Sequence, residues 1–290
     1  MTTTSGLTIT REDKERALLD HFQANIDTPA LRTKSIFSET IGMQCHDLSA
    51  LDAPFDEAEI KEAVFSLPSV KAPGPDGFIG AFFKSCSKII KADVVAMMMQ
   101  LTNLRGDCAS LINSANTILL PKKAGASSIG DYRPISLIHN ISKIFSKLLA
   151  NRLAPLLPSL VSKCQSAFVQ RQCIHDNFLH GDLLSPMIFI LAIDPLQLVL
   201  RGASQAGILK PIMARSASCR VSLYADDGGI FANPVKEEID AIAHILACFG
   251  EASSLITNVS KTEVFPVRCQ DIALPAILSA FPAKLASFPS

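Results

Sequence analysis

Two adjacent carboxylates, Asp226 and Asp227, stand between two short strand-like runs, residues 220–223 and 230–232, and this juxtaposition constrains the chain more than any other feature. Ahead of the pair, Val221 and Leu223 alternate with Ser222 and Tyr224, the period of a half-buried strand. Behind it, Gly228-Gly229 supplies the freedom for the chain to turn back. The expected structure is a hairpin with carboxylates at its tip. Carboxylate oxygens in a rigid turn suit a hard cation such as Mg²⁺, and a pair of such ions serves in-line phosphoryl and nucleotidyl transfer. The plain alternative is a solvated turn with two chance acids. It would suffice for a lone Asp-Asp, but the preceding Tyr-Ala and the hydrophobic run on each side favour the hairpin.

At 290 residues the chain is long enough for one large domain or two small ones with ample core. It is 48% hydrophobic with a mean hydropathy of +0.29, which excludes a disordered chain. The formal net charge is zero, unusual for a nucleic-acid binder. Locally the balance differs: between Pro121 and Leu153, Lys122, Lys123, Arg133, Lys143, Lys147 and Arg152 face only Asp131. Such a cluster suits phosphates, and equally suits a solvated helix face. None of the eight cysteines forms a CxxC pair, and Cys45-His46 lacks a second pair at metal-like spacing, which argues against zinc. Scattered buried thiols in a reducing compartment are the simplest reading. The Thr-rich, polar N-terminus is unlike a signal peptide. The longest apolar stretch, residues 183–200, is interrupted by Ser185, Pro186, Asp194, Pro195 and Gln197, so no membrane partner and an intracellular location are expected.

Helices are predicted over residues 11–23, capped by Thr10 with Asp13 at the box position, and over 57–67, capped by Asp56 with Glu59 completing the box. Ile60, Ala63, Val64 and Leu67 give the second its apolar face. Pro68, Pro73, Gly74, Pro75 and Gly77 then predict a rigid loop. Further helices are predicted over 79–105, with Met97-Met98-Met99 as core filler, over 141–156, and over 186–203 with a kink at Pro195. A last helix opens at Asn233-Pro234 and ends near Gly250, facing the core with Ile239, Ile242, Leu246 and Phe249. Residues 117–120 are a strand candidate, followed by a loop over 122–132.

Set beside these elements, a series of short words appears in a fixed order. Lys71-Ala72-Pro73-Gly74-Pro75-Asp76-Gly77-Phe78 and Asn116-Thr117-Ile118-Leu119-Leu120-Pro121-Lys122-Lys123 come first. Asp131-Tyr132-Arg133-Pro134-Ile135-Ser136-Leu137, Lys147-Leu148-Leu149-Ala150-Asn151-Arg152-Leu153 and Gln165-Ser166-Ala167-Phe168 follow. Then come His175-Asp176-Asn177, Gly181-Asp182, Leu184-Ser185-Pro186, the Tyr-Ala-Asp-Asp box and Asn258-Val259-Ser260-Lys261-Thr262-Glu263. One such word is weak; the ordered series is strong. From about Pro54 to Pro289 the chain resembles the reverse transcriptase of plant-type non-LTR (LINE-like) retrotransposons.

The resemblance implies an α+β fold: a truncated right-hand polymerase of fingers and palm, with helices packed on an incomplete antiparallel sheet. It divides the chain into an N-terminal helical linker (1–52), a fingers-like region (53–178) and an incomplete palm with the hairpin (179–290). The implied activity is RNA-directed DNA polymerisation, nucleotidyl transfer onto a primer 3′-hydroxyl, with an RNA template, a DNA primer and a dNTP as partners and Mg²⁺ as cofactor. Asp226 and Asp227 are then the catalytic and metal-binding carboxylates. Lys261 matches a late palm lysine that helps neutralise or protonate pyrophosphate, an exposed strand-end lysine being the alternative. Gly181, Ser185 and Pro186 match the template- and nucleotide-contacting box, against a helix cap. Lys123 and Arg133 match fingers positions that meet the triphosphate, against ordinary solvated charges, and Tyr224 belongs to the substrate-facing box.

Departures from the family pattern shape the expected function. The family places a long segment with another catalytic Asp between His-Asp-Asn and Gly-Asp-Pro-Leu-Ser-Pro, whereas here Asn177 is followed almost at once by Gly181. Leu183 replaces a Pro, Arg171-Gln172 replace Gly-Arg, and Ser254 replaces a Gly. The primer grip, thumb and upstream endonuclease of the family have no counterpart in the sequence. A polymerase without its first palm Asp is expected to be impaired, because misplacing a reacting group costs about a hundredfold even when no ligand is lost. The alternative is a non-catalytic nucleic-acid-binding or inert remnant. The lost strand is also expected to leave unpaired edges and an exposed apolar patch beside the hairpin.

Overall fold

The computed structural model describes residues 2–3, 6–7, 10–26, 35, 41–103, 112–165, 184–212, 220–270 and 272–287. The chain divides into two compact units, one of Met1–Pro29 with Ser49–Asn151 and one of Ala30–Leu48 with Arg152–Ser290. His175-Asp176-Asn177, Arg171-Gln172, Gly181-Asp182 and Leu183 lie outside the described residues.

In the first unit a short antiparallel pair, Thr2–Thr3 with Gly6–Leu7, precedes α1 (Arg11–Ile26), where the Thr10 hydroxyl accepts from the Asp13 N–H at 3.1 Å and donates to its carboxylate at 2.6 Å. In α2 (Glu57–Ser66) the reciprocal box forms as expected: Glu59 N–H donates to the Asp56 carboxylate at 2.7 Å, and Asp56 N–H donates to Glu59 at 3.0 Å. Ile60, Ala63, Val64 and Leu67 are all buried. The single helix expected over 79–105 is two, α3 (Gly80–Ser85) and α4 (Ser87–Thr102), separated at Cys86 with ψ near 5°. Ser85 and Ser87 flank the break, and serine competes with helical hydrogen bonding. The break lets Phe83 from one helix and Val94, Met98 and Leu101 from the other reach one core, which α5 (Asn140–Leu153) completes with Ile144 and Leu148. Phe55 meets Phe145 edge-on with ring centroids 6.2 Å apart.

Between α4 and α5, β1 (Ala115–Pro121) and β2 (Tyr132–Ile138) pair antiparallel over their full length, with Ile118 opposite Ile135 and Leu120 opposite Arg133. Most of both strands is exposed, Ile118, Leu120 and Ile135 included.

In the second unit the expected kinked helix resolves into α6 (Leu184–Ile193) and α7 (Pro195–Gln205), broken where Pro195 removes a backbone donor. The buried Asp194 at the bend accepts from the Ser162 N–H at 3.0 Å and its hydroxyl at 2.7 Å. Taken as one stretch, Leu184–Gln205 is long and apolar enough to cross a membrane by length and composition, a test that core helices also pass. β3 (Val221–Tyr224) and β4 (Asp227–Ile230) form the hairpin, and α8 (Lys236–Ser253) packs beneath it. Leu196, Leu200, Ala203 and Leu209 close this core with Val221, Leu223, Ile242, Leu246 and Phe249. α8 starts three residues after Asn233 and runs past Gly250 to a left-handed Ser254 (φ 65°), the position where a glycine was expected. Among the described residues each sheet has two strands. Val221 and Leu223 of the hairpin are buried in this core. Cys164 is disulfide-bonded, Cys45 is exposed, and Cys86, Cys248 and Cys269 are half-buried, which corrects the reading of the cysteines as scattered buried thiols.

Candidate functional site

The hairpin turns three residues earlier than the glycines suggest. Tyr224 pairs with Asp227, leaving Ala225 and Asp226 as the two-residue turn. A turn this short needs positive φ, and Ala225 provides it at 51°. For an alanine the left-handed conformation costs roughly 1–2 kcal/mol. Gly228 and Gly229 instead belong to β4, opposite Leu223 and Ser222. A Cβ on Gly228 would lie 3.3 Å from the Leu223 side chain, a tight fit. Glycine in this strand therefore serves close packing rather than turning.

Asp226 at the tip and Asp227 at the start of β4 are both exposed, and Tyr224 is half-buried. The tip is held from below. Val221 and Leu223 anchor β3 in the core, and Leu223 N–H donates to the Cys164 carbonyl at 2.8 Å. At the base, Phe231 N–H donates to the Arg220 carbonyl at 2.8 Å. The Arg220 guanidinium is buried and donates to Glu238 of α8 at 2.6 Å, to the Phe231 carbonyl at 3.1 Å, to Ser204 at 3.2 Å and to the Lys210 carbonyl. Glu238, equally buried, also accepts from the N–H groups of Asn233 at 2.9 Å and Lys210 at 3.2 Å, and from the Asn233 side chain. Burial pushes the Glu238 carboxyl up, but the Asn233 hydrogen bonds and Arg220 outweigh it and hold the carboxyl below its ordinary value.

Sequence reading did not single out Arg220 or Glu238. Glu238 looks like a first-turn helix acid, and its partner lies 18 residues away on another element. The only local signal is Asn233-Pro234, which brings the Asn233 amide back over the helix start.

The remaining candidates are dispersed. Lys261, exposed, ends a short 3₁₀ turn over Val259–Lys261 capped by Asn258, rather than ending a strand. Ser185 and Pro186 lie in the first turn of α6, where proline's missing N–H costs nothing. Gly181 lies outside the described residues. In the first unit, Arg133 is exposed on β2, and Lys123 is paired with Asp131 at 2.8 Å. That hydrogen bond from Lys123, with the Ser128 and Ser127 N–H groups, lowers the Asp131 carboxyl to about 2. Lys122 is likewise engaged, donating to the Gly130 carbonyl at 2.7 Å.

Among the described residues no group of three or more His, Cys, Asp or Glu side chains gathers at a point where a metal ion would sit. A hard cation takes six or more oxygens, and the hairpin brings two adjacent carboxylates. The described residues thus fall short of a complete Mg²⁺ site, and no chemical step is derived through one.

No family model matches the chain. It is 31% identical over 135 residues, 46% of its length, to the "Transposon TX1 uncharacterized 149 kDa protein" of Xenopus laevis, covering 10% of that protein. It is 28% identical over 142 residues, 49% of its length, to the "Retrovirus-related Pol polyprotein from type-1 retrotransposable element R2" of Nasonia vitripennis, covering 13% of it. It is 33% identical over 106 residues, 36% of its length, to the "Probable RNA-directed DNA polymerase from transposon BS" of Drosophila melanogaster, covering 12% of it. The matched stretches therefore span about a tenth of these curated relatives, which are transposon and retrotransposon proteins at modest identity.

Proposed function

We propose that the chain is a reverse-transcriptase-derived domain of non-LTR, plant-type retrotransposon origin, in which the hairpin carries what remains of a nucleotidyl-transfer site. The relatives' names support a reverse-transcriptase-related origin. The observation that carries the finer reading is the hairpin itself: Asp226 and Asp227 stand exposed on a two-residue turn with a left-handed Ala225, over a buried base. Strained turns that the surroundings hold in place are found where function needs a fixed geometry. In this reading Asp226 and Asp227 face the primer end and triphosphate with Mg²⁺, which supplies charge neutralisation when bound. Lys261 sits by the leaving group. Tyr224, Ser185, Pro186 and Gly181 contact template and nucleotide, and Lys123 and Arg133 meet the phosphates once Lys123 parts from Asp131. The first palm Asp of the family has no counterpart in the sequence, and catalysis is accordingly impaired.

The test is template-dependent primer extension by the purified chain with Mg²⁺, beside Asp226→Ala. Weak extension that Asp226→Ala abolishes supports the assignment, and extension unaffected by it overturns the assignment. A second reading, a nucleic-acid binder without catalysis, is favoured by the incomplete donor set. It predicts no extension but primer–template binding that weakens steeply with salt.

A further inference from the structure

The β1–β2 register sets Ala115 opposite Ile138, so the next residue beyond each strand, Ser114 and His139, meet at that end of the ladder. There the Ser114 hydroxyl lies 2.9 Å from His139 Nε2, and His139 Nδ1 lies 3.3 Å from the Asp76 carboxylate. From this geometry we propose that Ser114, His139 and Asp76 form a nucleophilic serine site for small activated carboxylic esters, separate from the hairpin carboxylates and independent of the polymerase-derived reading.

Three separate segments build the site. Asp76 sits in a turn closed by the Gly77 N–H, which donates to the Gly74 carbonyl at 3.1 Å. Gly74 presses against the end of β2: a Cβ there would come within 2.5 Å of the Ile138 carbonyl carbon and 2.6 Å of His139 N, so only glycine fits. On the other side of the turn, the buried Asn140 donates its side-chain amide to the Phe78 carbonyl at 2.5 Å. The His139 carbonyl accepts from the Lys143 N–H at 3.2 Å, which fixes His139 at the start of α5. One Asp76 oxygen accepts from the Phe78 N–H at 3.3 Å, and the other faces His139. A carboxylate only accepts, so Nδ1 carries the proton toward Asp76 and Nε2 turns its lone pair to the serine hydroxyl. An imidazole so oriented serves as general base toward a serine oxygen. The 3.3 Å contact is slightly long, as such contacts are before substrate binds. His139 and Asp76 are half-buried and Ser114 is exposed, so an ester reaches the hydroxyl from solvent.

The reaction balances without a further reagent. Ser114 Oγ bonds to the ester carbonyl carbon as its proton passes to His139 Nε2. The ester C–O bond breaks, and the leaving alcohol takes that proton. Water then attacks the acyl-serine and gives a proton to His139, which returns it to Ser114 as the acid departs. Asp76 is the positioning residue that holds the imidazole tautomer.

The experiment treats the full chain with a fluorophosphonate probe, which bonds to an activated serine oxygen as fluoride leaves, and follows hydrolysis of p-nitrophenyl acetate. Peptide mass spectrometry should find the adduct on Ser114. Ser114→Ala should abolish labelling there, and His139→Gln should slow it about a hundredfold, the low end for a lost general base. Ser136→Ala, at an exposed serine of β2, should leave it unchanged. Ester hydrolysis should fall in the same two site variants. At about pH 8, where imidazole is neutral, ¹⁵N NMR should show His139 protonated on Nδ1 in the parent and should lose that preference in Asp76→Asn. Circular dichroism confirms that the variants remain folded, which the exposure of Ser114 favours. No adduct on Ser114 in the parent chain, labelling unchanged in His139→Gln, or ester hydrolysis equal in parent and Ser114→Ala overturns the proposal and leaves a hydrogen bond that only closes the ladder.

Discussion

Replacing Arg220 by Met tests whether the hairpin is held from its base. Removing one partner of a buried ion pair costs roughly 3–5 kcal/mol, because the other charge is left uncompensated. Glu238 would keep its donors from Asn233 and Lys210, so the low end, about 3 kcal/mol, applies to Arg220→Met. Glu238→Leu strands both of those N–H groups as well as the guanidinium, adding about 1 kcal/mol for each lost hydrogen bond. Its cost is about 5 kcal/mol, a large share of a domain's total stability. The double variant removes both charges and should cost well below the sum of the singles, since a buried pair replaced by apolar groups is often near neutral. Urea unfolding followed by circular dichroism reads these values. With a slope of about 2 kcal/mol per molar, Arg220→Met lowers the midpoint by about 1.5 M. A shift below about 0.3 M, or strictly additive effects in the double variant, would refute the reasoning.

Three other perturbations follow from single features. Ser254→Gly relieves the left-handed cap of α8 and should gain about 1 kcal/mol, raising the midpoint of thermal unfolding by about 3 °C; an unchanged midpoint removes the strain account. Asp56→Ala deletes the α2 cap and should cost about 1 kcal/mol in urea unfolding, with Asp56→Asn nearly neutral. Asp131 has its carboxyl lowered from 3.8 to about 2, so what it contributes to folding is fully present above the ordinary value and is lost as pH falls from about 3.8 through about 2. Carboxyl NMR titration should show that low midpoint in the parent and a higher one in Lys123→Met; equal midpoints would remove Lys123 as the cause.

Features set by neighbouring residues were legible in the sequence, and features set by distant partners were not. The Asp56–Glu59 box was readable because both its hydrogen bonds close within three residues. So was the Pro195 bend, which follows from a missing donor. The hairpin was foreseen from its alternation, but its turn was misplaced: two glycines looked like the source of conformational freedom, while Ala225 takes the strained position and the glycines answer a packing need against Leu223. The break at Cys86 was missed because the flanking Ser85 and Ser87 only permit it, while the core shared by Phe83 and Met98 selects it. Glu238 was missed because nothing in its own helix distinguishes a buried acid from a solvated one; only Arg220, brought alongside by the fold, does.

The β1–β2 ladder offers a way to separate drift from selection in copies of this sequence. Ile118, Leu120, Ile135 and Arg133 are exposed, so replacing them barely alters folding free energy. In the buried positions of α2 and α4, purifying selection for foldability alone would suffice to keep apolar residues in place. On the ladder it would not: a lineage no longer selected for contacts made there would scramble these side chains first, while its core still read as intact. Divergence at these four positions, measured against the core, is thus a molecular clock for when such contacts ceased to matter.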